Sequence, residues 1–289
     1  MKHLFDNNGA TMSTLAWVSS NLITRGASSA LFVYLGACLL TSGGWIINGM
    51  MFQPPPSGYS WEDPEVIRIQ TGKLTLAAIW LPNPNAIKTI LYFHGNAEDI
   101  ENTRAVLVRL RDVGFSVLAV DYPGYGMSEG TPSERSVYAS ADAALNFLIH
   151  DQKIALPNIV ALGVSIGSGP ACYLAHKNAG LGGLILQSAF ASAFRTVTRI
   201  RIFPTDPFPN LKRIRTIPCP KLFIHGTSDA TISYRHSEKL YTQAAEPRTL
   251  LPIPGADHND LINHVGLESY ARLIYKFATG QALTRTPKP

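Results

Sequence analysis

From Glu65 onward, short runs of apolar and β-branched residues alternate with stretches whose apolar positions recur every three or four residues. A strand buried on both faces reads as a near-continuous apolar run, whereas a helix lying on a sheet shows a single apolar stripe. The runs predict strands at Val66–Gln70, Leu74–Leu81, Thr89–Phe93, Ser116–Asp121, Ile159–Val164, Gly183–Gln187, Lys221–His225 and Thr249–Ile253. The periodic stretches predict helices at Asp99–Val113, Ser133–His150, Ile166–Asn178, Tyr234–Ala244 and Asp260–Ala278. This alternation specifies an α/β fold: a mostly parallel eight-stranded sheet with helices on both faces. The first two strands read as a hairpin, which makes that sheet edge antiparallel. In such sheets the ligand crevice opens at the carboxyl ends of the strands.

Ahead of Glu65 the pattern differs. No charged residue occurs from Ala27 to Trp61, and the densest apolar run is 30–47. Its length suits a bilayer span, and Trp45 and Trp61 lie downstream, where interfacial aromatics belong. The organisation expected is a leader at 1–26, a hydrophobic helix serving as a transmembrane anchor at 27–51, an α/β domain at 52–280 and a flexible tail at 281–289. Two other readings stay open for the apolar run. One is a late signal sequence, because Leu35-Gly36-Ala37-Cys38 loosely resembles a bacterial lipobox. The other is a helix buried against the domain. Lys2 and Arg25 precede the run and no Lys or Arg follows until Arg68. That bias puts the N-terminus inside and the domain outside the cytoplasm. Gln53-Pro54-Pro55-Pro56-Ser57-Gly58 reads as a stiff spacer.

Composition narrows the class. The chain has 289 residues, 46% hydrophobic and 16% charged, with a formal charge of +5. These values describe a globular protein with an extra hydrophobic segment rather than a disordered chain. A basic cluster from Arg195 to Arg215 reads as a solvated face or a contact with anionic lipid. There is no nucleic-acid motif. The three cysteines, Cys38, Cys172 and Cys219, form no CxxC pair and no zinc-ligand spacing, and read as reduced, buried thiols. The sequence calls for no metal and no cofactor.

The strongest chemical signal is Gly163-Val164-Ser165-Ile166-Gly167, placed between a strand and a helix. On such a turn the serine hydroxyl is exposed, and the flanking glycines avoid collisions. The following helix N-terminus favours developing negative charge. A serine hydroxyl needs a base, and the chain order expected is serine, acid, histidine. Asp229 follows the strand Lys221–His225, and His258 follows Thr249–Ile253. Ser165 is thus the candidate nucleophile, His258 the base and Asp229 the acid. Asp257 and Asp260 lie beside His258 but are poorly placed to reach its ring; Asp257 is a candidate tuner. His225 reads as structural. An oxyanion hole needs two donors. The backbone N–H groups of Ile166 and of Asn96, in His94-Gly95-Asn96, are the candidates. His94 reads as a strut beneath that loop, with a catalytic role as the alternative.

These motifs occur together with Asp121-Tyr122-Pro123-Gly124-Tyr125-Gly126-Met127-Ser128-Glu129-Gly130, His225-Gly226-Thr227-Ser228-Asp229 and His258-Asn259-Asp260. The set resembles the α/β-hydrolase superfamily, and within it the Bem46-type serine hydrolases, including relatives that remove palmitate from proteins. The resemblance covers Phe52 to Phe277 and extends to Phe52-Gln53-Pro54-Pro55. It implies an α/β-hydrolase fold and cleavage of ester or thioester bonds in small molecules or acylated proteins. It also implies that Asp121 to Gly130 shapes the site without supplying catalytic groups. Asp257 stands where relatives commonly carry glycine, and Ser233 where they carry proline. The depalmitoylating relatives have an N-terminal cysteine cluster; here a single cysteine, Cys38, lies in an apolar segment.

Between Ala189 and Cys219 the chain has about thirty residues where larger enzymes insert a cap. An open site is expected, with Phe190, Phe194, Ile202, Phe203 and Phe208 either lining an acyl chain or packing in the core. A serine peptidase of related fold and a non-catalytic scaffold are the competing readings.

Overall fold

The computed structural model describes residues 48–49, 51–192 and 207–283. The expected leader, most of the expected anchor at 27–51 and the end of the tail lie outside the described residues. Among the described residues no helix is long and apolar enough to cross a membrane.

The domain is built on one eight-stranded sheet: β1 Val66–Thr71, β2 Leu74–Leu81, β3 Lys88–Phe93, β4 Phe115–Val120, β5 Ile159–Val164, β6 Gly183–Gln187, β7 Lys221–Gly226 and β8 Arg248–Ile253. The spatial order is β1-β2-β4-β3-β5-β6-β7-β8. β1 pairs antiparallel with β2, and β2 antiparallel with β4; all other pairs are parallel. Among the described residues the α-helices that follow β1 are α1 Arg104–Asp112, α2 Glu134–Asn146, α3 Ser168–Lys177, α4 Asn210–Arg213, α5 Arg235–Gln243, α6 Leu261–Val265 and α7 Leu267–Ala278.

Two cores flank the sheet, and the strands feed both by their period of two. In β3, Leu91 and Phe93 join one core while Ile90 and Tyr92 join the other; in β5, Ile159 and Ala161 face the first and Val160 and Leu162 the second. The first core packs Val137 and Ala141 of α2 and Leu174 of α3. The second packs Leu107 and Leu110 of α1 and Tyr270 and Ile274 of α7. Because each central strand is covered on both sides, its sequence carries no polar alternation.

Local signals set several boundaries. Ser133 caps α2 by accepting the Ser136 N–H, while the Ser136 side chain caps the Ser133 N–H in return. Three expectations need correction. The helix expected over Asp260–Ala278 is two, α6 and α7, broken at Gly266 with φ 81°. Glycine reaches this conformation at little cost, and its N–H closes α6 on the Ile262 carbonyl. The helix expected from Asp99 begins only at Arg104, because the Asp99 carboxylate takes the N–H groups of Glu101 and Asn102 in a turn. The proline-rich stretch after Phe52, expected as a stiff spacer, is instead a strap bound to the domain: Gln53 N–H reaches Asn96 Oδ1 and Gly58 N–H reaches Asp99 Oδ2.

Candidate active site

Ser165 follows β5 directly, with φ 53°. A β-carbon in this region is strained, and such a conformation persists only where surrounding packing dictates it. Here the packing is backbone against backbone. A β-carbon on Gly163 would lie 2.3 Å from the Gly167 carbonyl oxygen. One on Gly167 would lie 2.2 Å from the Phe93 carbonyl oxygen, at the end of β3. Main-chain atoms cannot swing aside, so both positions require glycine. A single 3-10 turn, Ser165–Gly167, then leads into α3.

Asp229 lies on the loop after β7 and is 7% exposed. Its Oδ1 accepts the N–H groups of Thr231 (3.0 Å) and Ile232 (2.7 Å). Its Oδ2 receives His258 Nδ1 at 2.7 Å and faces His225 Nε2 at 3.1 Å. Burial alone would raise its pKa, but hydrogen bonds from His225, His258 and the Ile232 amide outweigh it and hold the carboxyl well below the ordinary value.

His258 completes the chain, with Nε2 3.0 Å from Ser165 Oγ. Its Nδ1 faces an ionised carboxylate, so that nitrogen carries the proton and Nε2 offers its lone pair to the serine hydroxyl. The ring is 11% exposed. Three side chains distant in sequence therefore meet at one rim of the sheet.

Asp257 and Asp260 do not touch the ring of His258. Asp257 Oδ1 instead accepts Ala230 N–H (2.8 Å) and His258 N–H (2.7 Å), joining the acid loop to the base loop. Those two N–H groups lower the pKa of this exposed carboxyl. Asp260 Oδ1 accepts the Asp257 N–H (2.7 Å).

His225 is structural, as expected, but it also contacts the Asp229 carboxylate, which the sequence reading missed. It is fully buried. Nε2 lies 2.7 Å from the Ile232 carbonyl, so it bears the proton that also faces Asp229. Nδ1 pairs with Ser237 Oγ at 2.6 Å. The available signal was its position at a strand end, four residues before the acid.

The His94-Gly95-Asn96 loop follows β3. His94 is fully buried and stacks on Tyr122 at 4.2 Å. Its Nδ1 meets the Gly95 carbonyl at 2.7 Å and its Nε2 lies 3.1 Å from Asp121 Oδ1. Burial opposes its protonation, but the Asp121 carboxylate outweighs that and raises its pKa. This is the strut the sequence suggested. Tyr122 adds a bond to the His94 carbonyl at 2.7 Å, and Glu98 Oε1 takes the Gly95 N–H at 2.5 Å. Outside the regular helix and strand bonding, no backbone acceptor among the described residues takes the N–H of Asn96 or of Ile166.

Phe190 and Phe208 are core residues, 3% and 0% exposed; Phe208 meets Phe52 edge-on at 6.2 Å. Phe194, Ile202 and Phe203 lie outside the described residues. Cys172 and Cys219 are free and buried, and burial pushes their thiols up to about 12 and about 11; Cys38 lies outside the described residues. Among the described residues no cluster of three or more His, Cys, Asp or Glu is arranged to hold a metal ion.

Comparison with known proteins bears on the same region. The family model described as Serine aminopeptidase, S33 matches residues 84–205. An α/β-hydrolase-type protein of Acanthamoeba polyphaga mimivirus is 32% identical over 200 residues, which is 68% of this chain and 76% of that protein. The α/β hydrolase domain-containing protein aho-3 of Caenorhabditis elegans is 35% identical over 191 residues, 63% of this chain and 56% of its own length. The human α/β hydrolase domain-containing protein 17B is 34% identical, with 62% and 63% covered. The match thus spans less than two thirds of the length of the last two relatives. Among solved structures, the Pyrococcus furiosus esterase Pf2001 superposes with a TM-score of 0.65 at 19% identity, covering 80% of this chain and 97% of the esterase. Est1E of Butyrivibrio proteoclasticus, solved with ferulic acid bound, gives 0.63 at 19%, covering 74% and 98%. At that identity the likeness concerns the fold.

Proposed function

The chain belongs to the α/β-hydrolase family, and from that premise we propose that it is a serine hydrolase of carboxylic esters or thioesters. The observation that carries this reading is the unbroken hydrogen-bond chain from Ser165 Oγ through His258 to Asp229. Ser165 attacks the acyl carbonyl while His258 Nε2 takes its proton. Asp229 holds the ring in the required tautomer and stabilises the imidazolium. The Ile166 and Asn96 N–H groups hold the oxyanion. His258 then gives the proton to the leaving alcohol or thiol, and an acyl-enzyme remains. Water, deprotonated by His258, releases the carboxylic acid and restores Ser165. No step calls for a cofactor.

The substrate is a small-molecule ester or an acylated protein. A fluorophosphonate probe should label the full-length protein at Ser165 and fail to label Ser165→Ala. Turnover in that variant should fall by roughly three or more orders of magnitude; near-normal esterase activity would reject the assignment. A panel of p-nitrophenyl esters, acyl thioesters and peptide amides assigns the bond cleaved. The match to a family described as serine aminopeptidases favours the amide arm as a second reading.

We also propose that residues 27–51 anchor the protein in a membrane, with the catalytic domain outside the cytoplasm. The reading rests on the charge-free apolar run and the basic residues ahead of it. Recovery of full-length protein in the soluble fraction without detergent would overturn it.

A further inference from the structure

The chain entering the domain is bound to the loop that carries Asn96. Gln53 N–H donates to Asn96 Oδ1 (3.0 Å) and to Tyr125 Oη (3.0 Å), and the Tyr125 hydroxyl donates to the same Asn96 Oδ1 (2.7 Å). Beside this knot, Phe52 is 4% exposed and packs edge-on against Phe208. At the far end of the strap, Gly58 N–H donates to Asp99 Oδ2 (2.7 Å). The Tyr59 hydroxyl donates to Asp121 Oδ2, and Tyr59 Oη accepts the Met127 N–H (3.1 Å). Asp121 Oδ1 in turn takes the Ile100 N–H (3.1 Å) and faces His94. The strap Phe52–Tyr59 thus grips the 94–102 loop at Asn96 and Asp99.

Asn96 is partly exposed and follows a glycine, so local sterics do little to fix its N–H direction. His94 Nδ1 holds one side of that peptide unit at the Gly95 carbonyl (2.7 Å), and the strap holds the other through the Asn96 side chain. Oxyanion donors act by being aimed before the reaction begins. Both donors to the Asn96 side chain converge on its carbonyl oxygen, which pins the residue without using its N–H.

Resting on the serine-hydrolase reading, we propose that Phe52–Tyr59 is a positioning strap of the oxyanion hole: by holding the Asn96 side chain, it aims the Asn96 N–H at the reacting acyl oxygen. Gln53, through its backbone, and Tyr125 are its positioning residues.

The test uses the full chain with Tyr125→Phe and Gln53→Pro, each of which removes one donor to Asn96. Active sites are first counted by fluorophosphonate titration. Per active site, kcat for a p-nitrophenyl ester should fall about tenfold in each, with KM within about twofold, as a misaimed group loses rate rather than binding. Affinity for a trifluoromethyl ketone, whose hemiketal oxyanion occupies the hole, should fall by the same factor. In an Asn96→Ala background, which keeps the N–H but removes the gripped side chain, Tyr125→Phe should add little further loss. A purely structural strap would lower the melting temperature and the titrated fraction while leaving kcat per site and ketone affinity within about twofold; that result overturns the proposal. Should Gln53→Pro fail to fold, the Tyr125–Asn96 cycle decides alone. Absence of Ser165 labelling in the unmodified protein would sink the underlying hydrolase reading instead, and the strap with it.

Discussion

Ser165 and the two residues joined to it by hydrogen bonds, His258 and Asp229, are held by opposite means. Around Ser165 the determinants are steric: main chain packs on main chain, and at 163 and 167 main-chain atoms occupy the space a side chain would need. Around Asp229 and His258 the determinants are polar: His225, Asp257 and two loop amides hold the groups through hydrogen bonds. The steric half should answer to added carbon atoms and ignore pH. The polar half should tolerate isosteric changes that keep a bond and respond to charge.

The largest expected effect lies in the polar half. Asp229→Asn should lower kcat about 10⁴-fold, because the ring loses its tautomer and its counter-charge. The same variant tests linkage. Since folding depresses the Asp229 pKa, its stabilisation is complete above the ordinary carboxylate value of 3.8 and is lost as pH falls below it. The melting-temperature gap between the parent and Asp229→Asn should therefore be flat at neutral pH and close in acid. A gap that widened on acidification would break the comparison.

Next comes Gly167→Ala. Forcing a β-carbon against the Phe93 carbonyl should cost about 1–3 kcal/mol or more, read as a denaturant midpoint, and the loss should be the same at pH 5 and pH 8. Restoration of its stability by pH alone would contradict a steric cause. His225→Gln follows. Loss of a buried hydrogen bond to Asp229, worth about 1–2 kcal/mol, should slow kcat roughly tenfold with KM unchanged. The smallest effect is at Asp257. Asp257→Gly should reduce kcat a few-fold by parting the two loops, and Asp257→Asn, which keeps the Oδ1 acceptor, should recover most of it. Equal losses in both would mean that charge, not bridging, is what Asp257 supplies.

The same division explains what could be read from sequence. Strands such as Leu74–Leu81, Ile159–Val164 and Gly183–Gln187 fall where the apolar runs put them, because burial on both faces leaves an uninterrupted signal. The strand-to-helix turn was legible because Gly163 and Gly167 are local to Ser165. The meeting of Asp229 and His258 with Ser165 was legible through chain order and strand ends. What escaped was long-range or side-chain specific. Gln53 and Asn96 are 43 positions apart, and nothing in a proline-rich stretch says that its N–H groups find acceptors. His225 looked structural because no pattern reports which way an imidazole faces. The break at Gly266 was hidden by apolar periodicity that continues on both sides of it.

The contact between Gly167 and the end of β3 has a practical side for protein engineering. With 2.2 Å between a notional β-carbon and the Phe93 oxygen, there is no slack to recruit at the serine turn. A directed-evolution library that randomises 163 or 167 in search of new acyl groups would spend its diversity on misfolded clones. The loop positions Ala97, Ala230 and Pro254 stand exposed, so changes there leave the turn intact; variation in this scaffold is to be sought by rebuilding the loops around a fixed Ser165 turn.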